Sequence, residues 1–258
     1  MNTLLLKILV TPALIGTASL AGRRWGHSIS GWLVALPLTT GPITFFLAIS
    51  HGPAFAASAA AGTLAGGLSQ AAFVMAYAHL AWHWKWPATL TAAILAFAIL
   101  TALLQQVTFP LIALCAAIFI VFTLVLRSLP RQVDPLEIND SLLPRWDIPL
   151  RMAIATIFVV LVTALAPSFG ARLTGLLAPF PLFTATLVAF AHHQYGPAAA
   201  MKVLRGLMMG LFSYASFFFV LAILLEPAGI PIAFATAIVA MLILQSISLW
   251  LLQRRSPS

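Results

Sequence analysis

Polar residues are sparse along this chain, and they divide it into apolar runs of about 20 residues, the length at which an α-helix spans a bilayer. The pattern predicts an all-α, polytopic membrane protein with about nine transmembrane helices. The predicted spans are residues 3–21, 28–50, 54–81, 88–106, 108–127, 148–167, 172–194, 198–225 and 229–252.

One polar connection separates the chain into two halves. It covers residues 128–147 and holds four of the five acidic residues, together with two arginines and three prolines. We therefore predict four regions, which are spans one to four (1–106), a linker helix (107–127), a cytoplasmic loop (128–147) and spans six to nine (148–258).

The first span has two interpretations. Small residues near Ala21 are typical of a signal-peptide cleavage point. However, Lys7 lies inside the segment, and Arg23 and Arg24 follow it directly, which opposes translocation. We therefore expect a retained helix.

The composition supports a membrane protein. The chain is 62% hydrophobic and only 7% charged, whereas about a quarter of the residues of a soluble domain are charged. A single cysteine, Cys115, excludes an internal disulfide. The net charge of +8 would otherwise suggest nucleic acid, but the Lys/Arg bias of cytoplasmic loops explains it.

An internal repeat relates the two halves. Shifting the chain by 144 positions aligns Gly26 to Leu80 with the second half without a gap, and 18 of these 55 positions are identical. Among them, Gly52-Pro53 aligns with Gly196-Pro197. Chance would give roughly a tenth in so apolar a composition, so the repeat indicates a duplication.

The distribution of positive charges predicts the orientation. If nine spans end in a cytoplasmic C-terminus, only Lys7 and Arg172 lie outside. Five spans, an odd number, separate equivalent points, so the two repeats are predicted to be inverted across the membrane. The predicted location is a bacterial inner membrane, with the N-terminus outside. The basic residues predicted inside are Arg23, Arg24, Lys85, Arg127, Arg131, Arg145, Arg151, Lys202, Arg205, Arg254 and Arg255.

Both repeats carry helix-breaking residues near the middle of their second span. Proline removes an amide donor and frees a carbonyl about one turn earlier, which hydrocarbon tolerates only inside protein or beside a wet cavity. Corresponding breaks in two halves are typical of a transporter site; proline kinks that only shape packing remain the alternative. The candidate binding residues are Pro37, Thr39, Thr40, Gly41 and Pro42 in span two, and Pro179, Pro181, Thr184 and Thr186 in span seven.

The next helix of each repeat adds small and polar residues. Gly62-x-x-x-Gly66 and Gly206-x-x-x-Gly210 predict faces where helices approach closely. Beyond them, Gln70 and Tyr214 either line a cavity or hydrogen-bond between helices, and we favour the hydrogen bonds. Ser69 and Ser213 precede these two residues.

Four histidines lie at the ends of apolar runs. His192 and His193 end span seven, where they form either a proton-sensitive or anion-binding mouth or, as we favour, interfacial caps. His79 and His83 have a spacing that metals can use, but no carboxylate or cysteine accompanies them. We therefore predict no metal site.

No sequence motif supports an enzyme. The chain has no phosphate-binding loop, no GxSxG, no CxxC and no pair of carboxylates, so we predict neither catalysis nor a cofactor. The expected partners are the lipid bilayer, a small-molecule or lipid substrate and a second copy of the chain, with no nucleic acid.

The segment 175–197 and the helix after it resemble the GlpM-type family of small inner-membrane proteins. The resemblance rests on a Gly-Leu-rich entry, a proline-containing break, an Ala-His exit and an aromatic-rich helix. It implies a bacterial inner-membrane protein, here as a fused duplication, but no defined activity. The matching residues are Gly175, Pro179, Pro181, Thr184, Ala191, His192, Ser213 and Tyr214.

Two functional hypotheses follow. The first is a transporter or permease for a small solute or lipid head group, with its site between the breaks of spans two and seven. The second is a structural or regulatory membrane protein that acts through helix packing or a partner. Access of water to the two breaks discriminates between them.

Overall fold

The computed structural model describes residues 3–25, 37–130 and 147–253, and in these ranges the backbone is helical apart from short connections. The predicted all-helical fold is confirmed for this part of the chain. The helices are α1 (Thr3–Trp25), α2 (Thr40–His51), α3 (Pro53–Leu80), α4 (Trp86–Gln106), α5 (Leu111–Ser128), α6 (Asp147–Leu177), α7 (Leu182–Tyr195) and α8 (Pro197–Gln253).

Five of these helices, α3, α4, α5, α6 and α8, are long and apolar enough to cross a membrane. Together with the composition, they identify an integral membrane protein. Glycines with positive φ interrupt two of them, at Gly170 in α6 and at Gly229 in α8. Each of these helices therefore has two arms rather than one straight axis.

Helix α3 lies at the centre of the molecule, in contact with α2, α4, α5, α6 and α8. Of its most apolar 18-residue window 72% is buried, against 22–29% for the other four long helices. Alanine, glycine and serine dominate its sequence, and such small side chains let neighbouring helices come close. The helices α4 and α5 instead expose large side chains such as Leu103 and Ile120, which suits contact with lipid.

Glycines bring α3 and the second arm of α6 into close contact. A Cβ atom added to Gly62 would lie 2.6 Å from the carbonyl oxygen of Arg172, and one added to Gly66 would lie 2.9 Å from that of Leu176. Gly175 makes the reciprocal approach to the backbone of Ala59. The prediction that Gly62 and Gly66 form a packing face is confirmed. The same prediction for the second repeat is wrong at Gly206, because a Cβ atom added there would meet nothing within 4 Å.

The short helices α2 and α7 end in the same way. Gly52 (φ 88°) follows α2 and Gly196 (φ 81°) follows α7, and in both places a proline begins the next helix. A positive φ is accessible to glycine at low cost, and proline suits the first turn of a helix because it needs no donor there. The two Gly-Pro junctions thus turn the chain tightly.

Candidate functional site

Residues 178–181 separate α6 from α7 and form the described helix break. The amide of Ala178 donates to the carbonyls of Thr174 (3.0 Å) and Gly175 (3.2 Å), and that of Phe180 donates to Leu177 (3.0 Å). In a regular helix, residues 179 and 181 would donate to the carbonyls of Gly175 and Leu177, but proline has no N–H. The amides of Ala178 and Phe180 in the tight turn donate to these carbonyls instead.

Gln70 of α3 reaches into this break. Its side-chain Nε2 donates a 2.8 Å hydrogen bond to the carbonyl oxygen of Pro179. The side chain is only 8% exposed, and its Oε1 has no hydrogen-bond partner among the described residues. A buried amide oxygen without a partner is costly, so Gln70 presents an unused acceptor beside the break.

Aromatic rings hold the other side of the break. Phe180 makes an edge contact with Phe97 of α4, with ring centroids 5.4 Å apart, and a tilted contact with Phe158 of α6 at 6.5 Å. Edge contacts of this kind stabilise a buried ring beyond its apolar area. The break is therefore anchored to three helices: α3 through Gln70, and α4 and α6 through Phe180.

The two threonines predicted in this break lie inside α7. The break ends at Pro181, because α7 begins at Leu182 and satisfies its own backbone from there. Thr186 is exposed, and its hydroxyl lies near the carbonyls of Leu182 (3.2 Å) and Phe183 (2.9 Å) of its own helix. Thr184 is 8% exposed. Thr184 thus remains as the buried hydroxyl next to the break.

The candidate residues of the first repeat lie at the start of α2. Pro37 accepts a 2.8 Å hydrogen bond from the amide of Gly41, and Thr39 accepts one of 3.1 Å from Ile43. Thr40, Gly41 and Pro42 form the first turn, where a proline costs no hydrogen bond. Residues 28–36 of the predicted second span lie outside the described residues.

The two groups of candidate residues lie against different long helices, the first against α8 and the second against α3. A Cβ atom added to Gly41 would lie 3.8 Å from the ring of Phe217 of α8, while Pro179 bonds to Gln70 of α3. Tyr214 links α8 to α3, because its hydroxyl donates a 2.7 Å hydrogen bond to the carbonyl of Thr63. Gln70 and Tyr214 thus both make the interhelical hydrogen bonds that we favoured.

His192 packs against a residue that the sequence patterns did not identify. The hydroxyl of Tyr77 lies 3.2 Å from His192 Nδ1 and 3.4 Å from the carbonyl of Val188. Tyr77 is fully buried in α3, so the signal available was a tyrosine hydroxyl within a largely apolar helix. The histidine therefore ties the end of α7 to α3.

His193 and His79 make contacts that do not join α7 to α3. His193 is exposed and its ring centroid is 5.7 Å from that of Trp86. His79 Nδ1 lies 2.9 Å from the carbonyl of Met75 in its own helix. Within the described ranges, no three His, Cys, Asp or Glu side chains are grouped as metal ligands.

No protein-family model, curated protein or solved structure matches this chain. The resemblance to GlpM-type proteins therefore stays a prediction from the sequence. The candidate site rests on the geometry at the break.

Proposed function

We propose that this protein is a membrane transporter with two inverted repeats, and that its substrate binds at the α6–α7 break beside Gln70. The observation that carries the proposal is the unpaired Oε1 of Gln70, buried next to a broken helix. Broken helices near the midplane are where many secondary transporters bind their substrates. Gln70 lies in the middle third of α3, which suits that depth.

Equivalent hydrogen bonds support the repeat. Thr101 donates a 2.9 Å hydrogen bond to Ser69, and Ser213 hydrogen-bonds to Gln245. A shift of 144 positions converts Ser69 into Ser213 and Thr101 into Gln245, so the same pair of positions is bonded in both halves. Packing shared at equivalent positions is the result expected of a duplication rather than of two unrelated bundles.

The helix boundaries support nine spans. Gly170 follows the first arm of α6, and its equivalent, Gly26, follows the last residue of α1. Gly229 divides the 57 residues of α8, which as one straight helix would be about 85 Å long, far more than a bilayer needs. Two spans from α8, and α5 in contact with both α3 and α8, fit two four-helix units with a linker helix.

Charged residues support the proposed orientation. Arg205 donates to the carbonyl of Leu129, and the hydroxyl of Ser128 lies 3.2 Å from Met75 Sδ. Arg127 and Arg205 are therefore at the same end of the bundle as the end of α3. We assign this end to the cytoplasm of a bacterial inner membrane. Reporter fusions within residues 128–147 test the assignment, and an outside location there would contradict it.

The site suits a ligand that donates hydrogen bonds. Gln70 Oε1 is an acceptor, and no acidic residue is near the middle of any predicted span. The substrate we expect is therefore a small polar solute or lipid head group with N–H or O–H donors.

Cysteine labelling tests the proposal. In a Cys115→Ala background, Thr184→Cys should react with a water-soluble maleimide in permeabilised vesicles, because a substrate path carries water to the break. Ile120→Cys, at a position 59% exposed on the lipid-facing side of α5, is the matched control and should stay unlabelled. Protection of Thr184→Cys as complete as that of the control would count against transport.

One observation favours a non-transporting structural or regulatory protein as the second candidate. The break is closed by its own turn and by Phe180 packed on Phe97 and Phe158, which is how a kink that only shapes packing would look. For that function, Gln70→Leu should change stability alone, because no ligand binds at the break. For a transporter, the same substitution should abolish the thermal stabilisation caused by the substrate.

A further inference from the structure

A cavity of about 750 Å³ opens between the end of α5 and the first arm of α8. Arg127 and Arg205 line it at the end where α5 finishes, and Leu126 and Phe212 line its apolar wall. Arg205 and Phe212 are seven residues apart on one helix, so the cavity extends about 10 Å from its basic end. None of its lining residues belongs to the α6–α7 break.

Arg205 is held in position by a hydrogen bond, and Arg127 lies at the end of a helix. Arg205 Nη1 donates a 3.3 Å hydrogen bond to the carbonyl of Leu129, directly after α5. Arg127 lies in the last turn of α5, where the helix dipole favours a cation. A guanidinium has five N–H donors, and the bond to Leu129 engages one of those of Arg205.

The apolar wall is rigid because its aromatic ring is packed on two others. The ring centroid of Phe212 lies 5.7 Å from those of Phe119 and Phe122, and both contacts are edge-on. Leu126 and Phe212 are each half-buried, so part of each side chain still faces the cavity. The cavity therefore pairs a cationic end with a preformed hydrophobic surface.

Arg127 is exposed and Arg205 is half-buried, and neither forms an ion pair with a described residue, so both can pair with an anion that enters the cavity. Three acidic residues, Asp134, Glu137 and Asp140, follow in the chain and are the internal competitors for that role. A second source of negative charge is the cytoplasmic leaflet, whose anionic lipids attract clusters of basic residues.

We propose that this cavity binds the phosphate group of an anionic amphiphile, with Arg127 and Arg205 on the phosphate and an acyl chain along Leu126 and Phe212. Arginine matches phosphate because its planar fork can donate two parallel hydrogen bonds to neighbouring oxygens. Basic pockets between transmembrane helices on the cytoplasmic side are typical sites for lipid head groups. The phosphate is the shared chemistry of two sources, a membrane phospholipid and a soluble phosphate.

Lipid titration of the purified full-length protein in a neutral detergent tests the site. We expect phosphatidylglycerol to bind more tightly than phosphatidylcholine with the same acyl chains, as measured by native mass spectrometry and thermal shift. In Arg127→Gln/Arg205→Gln the affinity for phosphatidylglycerol should fall about thirtyfold, from the contribution of two basic side chains. Lys85→Gln/Arg254→Gln removes the same number of charges from other positions and is the matched control.

Each result has a defined meaning. Glycerol phosphate or inorganic phosphate that gives the same stabilisation would keep the phosphate site and identify a soluble anion as its ligand. Equal affinities for the two lipids in the wild type would overturn the proposal. The proposal would also be overturned if Arg127→Gln/Arg205→Gln bound phosphatidylglycerol as tightly as the control variant does. A lipid preference that appeared only after Asp134→Asn/Glu137→Gln/Asp140→Asn would overturn it as well, because the chain's own carboxylates would then pair with the arginines in the wild type.

Discussion

At the scale of single residues, polar side chains determine which apolar helices pair. Apolar side chains alone select no particular neighbour in lipid, because the lipid tails are as apolar as leucine. In this protein Gln70, Tyr77 and Tyr214 each bond to a backbone or side-chain partner more than 100 residues away in sequence. These few bonds fix α3 against α6, α7 and α8.

The Tyr77–His192 contact gives the first residue-level prediction. Tyr77→Phe keeps the ring in place but removes the hydroxyl that reaches His192 Nδ1 and Val188. We expect the free energy of unfolding to fall by about 0.5–1.5 kcal/mol, the usual value of one interhelical hydrogen bond. Thermal or denaturant unfolding in detergent measures it.

Tyr195→Phe provides the control for this measurement. Tyr195 ends α7 one turn beyond His192, is only half-buried and makes no hydrogen bond among the described residues. Its loss should change stability by less than the error of the measurement. If Tyr77→Phe is as stable as Tyr195→Phe, the hydroxyl does not hold α7 on α3.

At the scale of elements, glycines set the distance between α3 and the second arm of α6, because they have no side chain to keep the backbones apart. Gly62, Gly66 and Gly175 leave room for backbone to touch backbone, and such contacts gain dispersion energy along the whole interface. The interface also positions Pro179 opposite Gln70, so packing and the candidate site depend on the same glycines.

Gly175→Ala should therefore disrupt this interface. The added methyl group would lie 2.9 Å from the carbonyl carbon of Ala59 and the amide nitrogen of Thr63, and backbone atoms cannot move aside as a flexible side chain can. We expect a loss of about 1–3 kcal/mol in the free energy of unfolding, typical of overpacking.

Gly41→Ala is the matched control for Gly175→Ala. Its added Cβ would make ordinary contacts, with Phe217 at 3.8 Å and Pro37 at 3.9 Å, and the equivalent position in the other repeat, 185, is already alanine. We expect no loss of stability from it. Equal stability of the two variants would show that α3 and α6 are further apart than described.

The sequence predicted the helices and the packing face on α3, but it did not predict the length of the break or the contact of Tyr77. Apolar runs bounded by Gly, Pro and charged residues gave the helices, and the glycine spacing gave the packing face. The break was predicted too long, through Thr186, because side-chain composition does not reveal that Leu182 already begins a helix. Tyr77 was missed because its hydroxyl is one of several in α3 and no spacing identifies its partner, His192.

At the scale of the whole molecule, the two halves share boundaries, turns and one interhelical hydrogen bond. A duplicated unit with an odd number of spans between equivalent points enters the membrane in opposite directions. The two Gly-Pro junctions, Gly52-Pro53 and Gly196-Pro197, would then lie on opposite surfaces. The proposed transporter function requires this inverted arrangement, so the surface on which each junction lies is the quantity to measure.

The positions Ser50 and Gln194 test the inversion directly. They are equivalent under the shift of 144 residues, both are exposed, and each lies two residues before its Gly-Pro junction. In a Cys115→Ala background, an impermeant thiol reagent added to right-side-out vesicles should label Ser50→Cys at once. Gln194→Cys should be labelled only after permeabilisation. The Cys115→Ala protein without an added cysteine sets the background. Labelling of both variants from the same side would place the two junctions on one surface, and the repeats would then be parallel rather than inverted.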